Sequence, residues 1–311
     1  MTIVLTNCTN RKSGIANPLL ICENLETSSM GSVAQQWVNR LKEVPAENSA
    51  SNTYCGRGFL EAKSSANSLN CPLYVVSAGL GIIKSTQLIP AYNLTISSGS
   101  NNSINKKISD FTSTDKWWSC IANKTIYGSS LFNTLKDQSE GLILIALSRP
   151  YIELINDELL NFPPHQEPRL RFFGKKLNHV LPEYLHKNWM PYDDRLDSMG
   201  AAYKGTQGDF AQRALRHFVN EILSNEPDED THSHSTKINA LLAPLSKRET
   251  PKRQQMNDQE IANMIRNQWE LGKGQSSRIL RLIRHELGIA CEQSRFKKIY
   301  HSVKNTSSTA L

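Results

Sequence analysis

Apolar residues fall into four short continuous runs in the first 175 positions: residues 1–6, 73–77, 142–147 and 170–173. Each is too short for a helix and is rich in Val, Ile, Leu or aromatic residues, as expected of strands covered on both faces. Helix-length segments separate them. In residues 28–44, Val33, Trp37, Val38 and Leu41 share one face, and Pro45 marks its end. Strand-sized runs alternating with helices predict an α/β fold, a mainly parallel sheet with helices on both faces. The run at 73–77 leads into Gly79 and Gly81, which predict a loop that admits close backbone approach. Ligands of open α/β sheets bind beyond such strand ends. The Ser/Asn/Gly tract at 97–105 reads as a mobile surface loop and a possible pocket wall.

Farther along, Asp209 and Gln212 have the spacing of a helix-start capping box, followed by an apolar stripe of Phe210, Ala214, Leu215, Phe218 and Ile222. Residues 224–236 are acidic and lack periodicity, as in a linker. The pattern then becomes helical three times: Ile261, Met264, Ile265 and Trp269; Ile279, Leu280, Ile283 and Leu287; Phe296, Ile299, Tyr300 and Val303. With Gly272, Gly274 and Gly288 between them, these stripes predict a trihelical helix-turn-helix-type module. The expected organisation is an α/β catalytic domain at 1–223, an acidic-to-basic linker at 224–256, a basic helical nucleic-acid-binding module at 257–304 and a tail at 305–311.

Charge sharpens this division. Residues 247–304 hold thirteen Lys and Arg against six Asp and Glu, which accounts for the whole +7 of the 311-residue chain. A basic module on a neutral body predicts a polyanionic partner, with DNA ahead of a membrane. On the second helix Arg278, Arg281 and Arg284 recur at every third position, and Arg295, Lys297 and Lys298 lie on the third; both sets suit phosphate contacts. The six cysteines form no Cys-x-x-Cys pair, and His232 and His234 stand apart from other ligands, so no metal and no disulfide framework is expected. No run approaches the ~20 apolar residues of a membrane span. The first strand-sized run has no basic region before it, which predicts no signal peptide and a cytoplasmic protein.

The strand exits collect polar groups. After the first strand come Asn7, Arg11 and Lys12; the Tyr54-Cys55-Gly56-Arg57-Gly58 loop follows; the third apolar run ends in Ser148 and Arg149. Three carboxylates, Asp193, Asp194 and Asp197, crowd one later turn. Asp209 reads as a cap rather than a catalyst.

Several of these stretches together resemble one known group. They are Asn7-Cys8-Thr9-Asn10-Arg11-Lys12, the loop from Tyr54, Val76-Ser77-Ala78-Gly79-Leu80-Gly81, Pro90-Ala91-Tyr92-Asn93-Leu94-Thr95, Gly205-Thr206 with Asp209 to Arg213, and the tail motif from Gly288 to Phe296. That group is a bacterial phage-defence DNA glycosylase family, itself distantly similar to peroxide-stress proteins and to glycosylase-like domains of tRNA-guanine transglycosylase relatives. The resemblance implies a glycosylase-like fold without a cofactor. It implies flipping of a modified cytosine, a glucosylated hydroxymethyl base, out of double-stranded phage DNA, and hydrolysis of its N-glycosidic bond to an abasic site. It supplies no catalytic motif to carry across residue by residue.

Roles are therefore drawn from chemistry. Cleaving a base–sugar bond calls for a carboxylate beside an oxocarbenium-like sugar, donors to the leaving base and a pocket for the flipped nucleotide. Asp194, with Asp193 as its alternate, is the expected carboxylate, and Asn7 and Asn93 are expected to read a base edge. Tyr54 and Tyr92 would stack on the base. Arg11, Lys12 and Arg57 would hold phosphates, with Ser77, Gly79, Gly81, Ser148 and Arg149 completing the pocket. Two alternatives stay open: a base-exchange transglycosylase or other nucleoside-processing hydrolase, and a non-catalytic nucleotide-sensing DNA-binding regulator.

Overall fold

The structure, a computed structural model, describes residues 1–136, 138, 140–224, 229–246 and 253–308, with side chains to Asn305. Linker residues 225–228 and 247–252 and tail residues 309–311 lie outside the described residues. The chain divides into two compact units, Met1–Lys247 and Arg248–Leu311.

In the first unit the elements that position the site are β1 (Ile3–Asn7), α1 (Met30–Glu43), α2 (Arg57–Ser68), β2 (Leu73–Ser77), β3 (Gly81–Lys84), α3 (Thr114–Ile121), β4 (Ile143–Ala146), α4 (Arg149–Leu154), β5 (Leu170–Phe173), α5 (Phe210–His217) and α6 (Thr231–Leu242). The five strands form one sheet in the order β3-β2-β1-β4-β5. β2, β1, β4 and β5 run parallel, with Val4 opposite both Leu73 and Leu144, and Ile143 opposite Leu170. Ile3 to Thr6 of β1 and all four residues of β4 are fully buried. Successive strand residues point to opposite faces, so burial of every one means that both faces are covered. On one side α2 and α5 pack on each other, and both reach the strands.

The four strands foreseen from the apolar runs are present to within two residues at each end. The fifth was read as part of a ligand loop and is a correction. Residues 78–80 turn the chain, and β3 returns antiparallel to β2 with Gly81 opposite Ser77. Gly81 has φ +84°, and a Cβ there would stand 2.9 Å from Ala122 O, so glycine is required by the turn and its packing. Gly79 lies against Trp37 and Tyr92, and its carbonyl accepts from Trp37 Nε1 at 2.6 Å. Trp117 Nε1 donates to Ala78 O at 2.8 Å. The end of β2 is sealed by two buried indoles and offers Gly79 and Gly81 to no ligand.

Sheet order dictates where an opening can form. The chain moves from β1 to β2 and β3 on one side, then crosses to β4 and β5 on the other. Connections leaving β1 and leaving β4 therefore diverge, with a crevice between their carboxyl ends, the switch point of an open α/β sheet.

The acidic stretch is also corrected. Thr231–Leu242 is a helix of the first unit, not linker, and that unit runs on to Lys247 rather than ending at 223. Its stripe is too sparse to stand out in sequence, yet Ile238 and Leu242 are fully buried and His234 accepts from Arg171 Nε at 3.0 Å. Asp230 caps it by accepting from Ser233 N at 2.7 Å.

The second unit contains α7 (Asp258–Asn267), α8 (Ser276–Arg281), which widens into a π-helical turn at Leu282–Glu286, and α9 (Gln293–Ser308). The helix runs through residues 305–308, which sequence assigned to a tail. An Asn257–Glu260 capping box starts α7. Ile261, Ile265, Ile279, Ile283, Phe296, Tyr300 and Val303 form the core, and Trp269 stacks on Tyr300 with centroids 5.5 Å apart. Leu287, expected on the apolar face, is exposed. Gln254–Gln255 pairs in parallel with Ile289–Ala290, a short ladder that the helical pattern did not announce.

Candidate functional site

Asn7 stands at the end of β1 and ties the switch point together. Its Oδ1 accepts from Gln212 Nε2 at 3.0 Å and from Ser148 N at 3.3 Å, while its Nδ2 donates to Cys8 O at 3.0 Å. Gln212 Nε2, on α5, lies in addition 3.1 Å from Thr6 Oγ1 and 2.9 Å from Ala146 O. The predicted Asp209–Gln212 capping box is thus replaced. Thr206 and Asp209 form the box, with Thr206 N donating to Asp209 Oδ1 at 2.8 Å, and Gln212 is freed to clamp β1 to β4. The Asn7 oxygen is engaged, and one amide hydrogen remains to be presented.

Above this clamp lies a cavity of about 620 Å³ lined by Asn7, Cys8, Thr9, Asn10, Thr95, Ile96, Ser97, Ser98, Thr114, Ser148, Pro150, Tyr151, Glu153 and Gly208. The volume falls within the roughly 300–1,000 Å³ of small-molecule sites. The floor is the buried pair Cys8 Sγ and Tyr151 OH, 3.0 Å apart. Burial pushes the Tyr151 phenol well above its ordinary range, so it stays protonated. One wall is the segment expected to be mobile, and it is pinned: Thr95 N donates to Asn102 O and Ile104 N to Thr95 O, both at 2.9 Å, and Ser103 is fully buried. From sequence Thr9, Asn10 and Tyr151 stand out only as members of polar strand exits, without roles of their own, and Glu153 does not stand out at all. Their nearness to predicted strand exits was the available signal.

Glu153 is the one carboxylate among these lining residues. It sits on α4, oriented by Arg149 Nε at 2.9 Å, where the large cavity meets a second of about 580 Å³ lined by Thr114, Asp115, Arg149, Glu153, His179 and others. The expected acids stand elsewhere. Asp193 caps the turn at 194–198 by accepting from Arg195 N at 3.0 Å and pairs with the Arg195 guanidinium at 2.9 Å. Asp194 is bound to Lys175, two residues past the end of β5, and it lines neither cavity. The Lys175 ammonium holds its carboxyl below the usual range. Gln207 Nε2 approaches Asp194 at 3.5 Å, and Gly208 next to Gln207 is in the cavity wall.

Behind Gly208, Arg213 is almost completely buried and holds the 197–209 segment. It donates from Nε to Asp209 Oδ1 and from Nη1 to Asp197 Oδ1, both at 2.7 Å, and from Nη2 to Thr206 O at 2.9 Å. A Cβ at Gly205 would stand 2.3 Å from Arg213 Nε, which explains the glycine. Arg57 joins the same network through Asp209, Glu61 and Lys204 O. Its side chain stays half exposed, 3.5 Å from Asp209 and 3.6 Å from Glu61, which pair more closely with Arg213 and Arg216.

Tyr54 and Tyr92 are corrected as stacking platforms. Both are buried; their hydroxyls hydrogen-bond at 2.8 Å, and Tyr92 OH lies 2.7 Å from Ser77 Oγ. Ser77 Oγ also accepts from Gly79 N at 3.3 Å and Leu80 N at 3.1 Å, so it holds the hairpin turn rather than substrate. Lys12 covers the Tyr92 face with Nζ 4.5 Å from the centroid. Lys12, Tyr92, Asn93, Asn10 and Ser13 line a smaller cavity of about 210 Å³. Arg11 is exposed beside it.

In the second unit Arg278, Arg281, Lys297 and Lys298 are exposed. Two partners are corrected. Arg284 donates from Nε and Nη2 to Cys291 O at 2.8 and 2.6 Å, and Arg295 joins Asp258 Oδ1 at 2.7 Å and Met256 O at 2.8 Å. Both arginines brace the unit's own backbone.

Among the described residues no group of three or more His, Cys, Asp or Glu is placed to hold a metal ion, and no helix is long and apolar enough to cross a membrane. No family model, curated protein or solved structure matches the chain. The resemblance to phage-defence glycosylases thus rests on its motifs alone.

Proposed function

We propose that the protein is a DNA N-glycosylase of antiviral defence that flips a modified cytosine, a glucosylated hydroxymethyl base, into the switch-point cavity and hydrolyses its bond to deoxyribose. The observation that carries this reading is a cavity of about 620 Å³, lined by several Asn, Ser and Thr side chains, with a single, arginine-oriented carboxylate, Glu153, in its wall. Loss of the base leaves positive charge on the sugar, and a carboxylate beside it stabilises that charge or orients the attacking water. Asn10, Thr9, Ser97 and Ser98 supply donors and acceptors for the hydroxyl-rich substituent, and the Asn7 amide hydrogen remains for the base. The adjoining cavity with Arg149 and His179 suits the flanking backbone. Exposed Arg278, Arg281, Lys297 and Lys298 on the helical unit give a sequence-independent hold on phosphates.

Unmodified, hydroxymethylated and glucosylated DNA, each incubated with the protein and then heated in alkali, test the proposal. Alkali-labile breaks confined to modified DNA are expected. Intact strands with all three would refute it, and incorporation of a free base into an unbroken strand would favour exchange.

A further inference from the structure

We propose that Lys12 is an amine nucleophile that captures the aldehyde of a ring-opened abasic deoxyribose as an imine, giving the protein a strand-cleaving lyase step. The inference rests on the glycosylase reading, because such a sugar is that reaction's product.

Geometry singles out this lysine. Among the described residues the Lys12 ammonium forms no ion pair and no hydrogen bond, although it is largely withdrawn from solvent. It lies over the Tyr92 ring at 4.5 Å and near Tyr54 at 6.0 Å, and the hydroxyls of both rings are engaged with each other and with Ser77. A cation of purely structural use would be expected to meet a carboxylate; this one faces aromatic carbon and a cavity of about 210 Å³. Burial draws its pKa below the ordinary lysine range, against the smaller opposing effects of Cys8 and Cys55, which enlarges the neutral, nucleophilic fraction. The backbone around it is fixed: Ser13 N donates to Thr53 O at 2.8 Å and Cys55 N to Arg11 O at 3.3 Å. Asn10 lines both this cavity and the larger one, which places the amine's cavity next to the base site.

The step balances without an oxidant or reductant. The Nζ lone pair forms a bond to C1′ of the aldehyde, and the carbonyl oxygen departs as water to leave a C=N bond. Loss of the C2′ proton to water lets its electron pair expel the 3′ phosphate as the C3′–O bond breaks. Hydrolysis of the conjugated imine then returns the amine.

Full-length protein incubated with a duplex carrying one preformed abasic site, in the presence of sodium borohydride, tests the proposal, because hydride fixes the imine as a stable secondary amine. A covalent protein–DNA adduct is expected, with peptide mass spectrometry placing the modification on Lys12 and Lys12→Arg lowering its yield at least tenfold. An absent adduct, or one placed on the N-terminal amine or another lysine, overturns the proposal. Mapping the adduct in the wild-type protein makes the result independent of how the variant folds. Base release from glucosylated DNA is measured in parallel. Release without an adduct rejects the imine and leaves the glycosylase reading intact, whereas an adduct on Lys12 without release supports the amine chemistry and rejects that reading.

Discussion

Gln212 Nε2 sits 3.0 Å from Asn7 Oδ1, joining α5 to the end of β1 across 205 positions of sequence. The same amide reaches Thr6 and Ala146, so one side chain closes the floor of the switch point from both strands. Gln212→Ala removes these hydrogen bonds and leaves buried acceptors unpaired. A loss of roughly 2–4 kcal/mol in urea unfolding is expected from such a change. A loss under about 0.5 kcal/mol would show that the clamp is incidental.

Arg213 makes a parallel case with charge. It is enclosed with Asp209 and reaches Asp197 and the backbone at Thr206. Arg213→Met leaves buried carboxylates without their cation, for which about 3–5 kcal/mol of destabilisation is expected. Arg213→Lys keeps the charge but not the fork, and its melting temperature should fall between those of the wild type and Arg213→Met. Equal melting of the three proteins would contradict this role.

Acid sensitivity follows from His217. Burial lowers its pKa to about 4, and its Nδ1 is 2.9 Å from the Tyr192 hydroxyl. The folded value lies below the ordinary 6.5, so between these values the unfolded chain binds the extra proton. The contribution is full above pH 6.5 and is lost as pH falls toward 4. His234, lowered to about 4 chiefly by burial, acts in the same direction. Unfolding free energy measured from about pH 7 to 4 should fall less steeply in His217→Gln than in the wild type; identical slopes would sink the assignment.

On the helical unit the arginines separate by what they touch. Arg278→Ala with Arg281→Ala should weaken binding to any duplex and reduce the salt dependence of affinity by about two phosphate contacts, with little change in melting. Arg284→Ala removes both hydrogen bonds to Cys291 O instead, so it should lower the melting temperature first. Salt titrations by fluorescence anisotropy, with thermal melts alongside, distinguish the two patterns. An unchanged salt slope in the double variant would show that these cations do not meet phosphate.

These contrasts show where the sequence was readable. β2 and β5 were placed to the residue because buried parallel strands are continuous apolar runs bounded by polar ones. β3 was hidden by Gly79 and Gly81, since a glycine that relieves crowding against Trp37 or Ala122 looks the same in sequence as one that admits a ligand. α6 was hidden because Ile238 and Leu242 are too few to stand out among polar positions, and its remaining anchor is a histidine facing Arg171. The capping box was shifted by three positions because Thr206, Asp209 and Gln212 offer two overlapping frames. At the site, strand exits located Asn7 and Ser148, but choosing among carboxylates required knowing which strand each acid stands beside. Asp194 pairs with Lys175, just past β5, whereas Glu153 lines the cavity at the ends of β1 and β4.

The decisive measurement is the free base released in a single turnover from DNA containing glucosylated hydroxymethylcytosine, quantified by mass spectrometry for the wild type, Glu153→Gln and Asp194→Asn. Release by the wild type, a fall of about a hundredfold or more in Glu153→Gln and a change within about threefold in Asp194→Asn are the predicted results. No free base from the wild type, or a larger fall in Asp194→Asn than in Glu153→Gln, would contradict catalysis in the switch-point cavity.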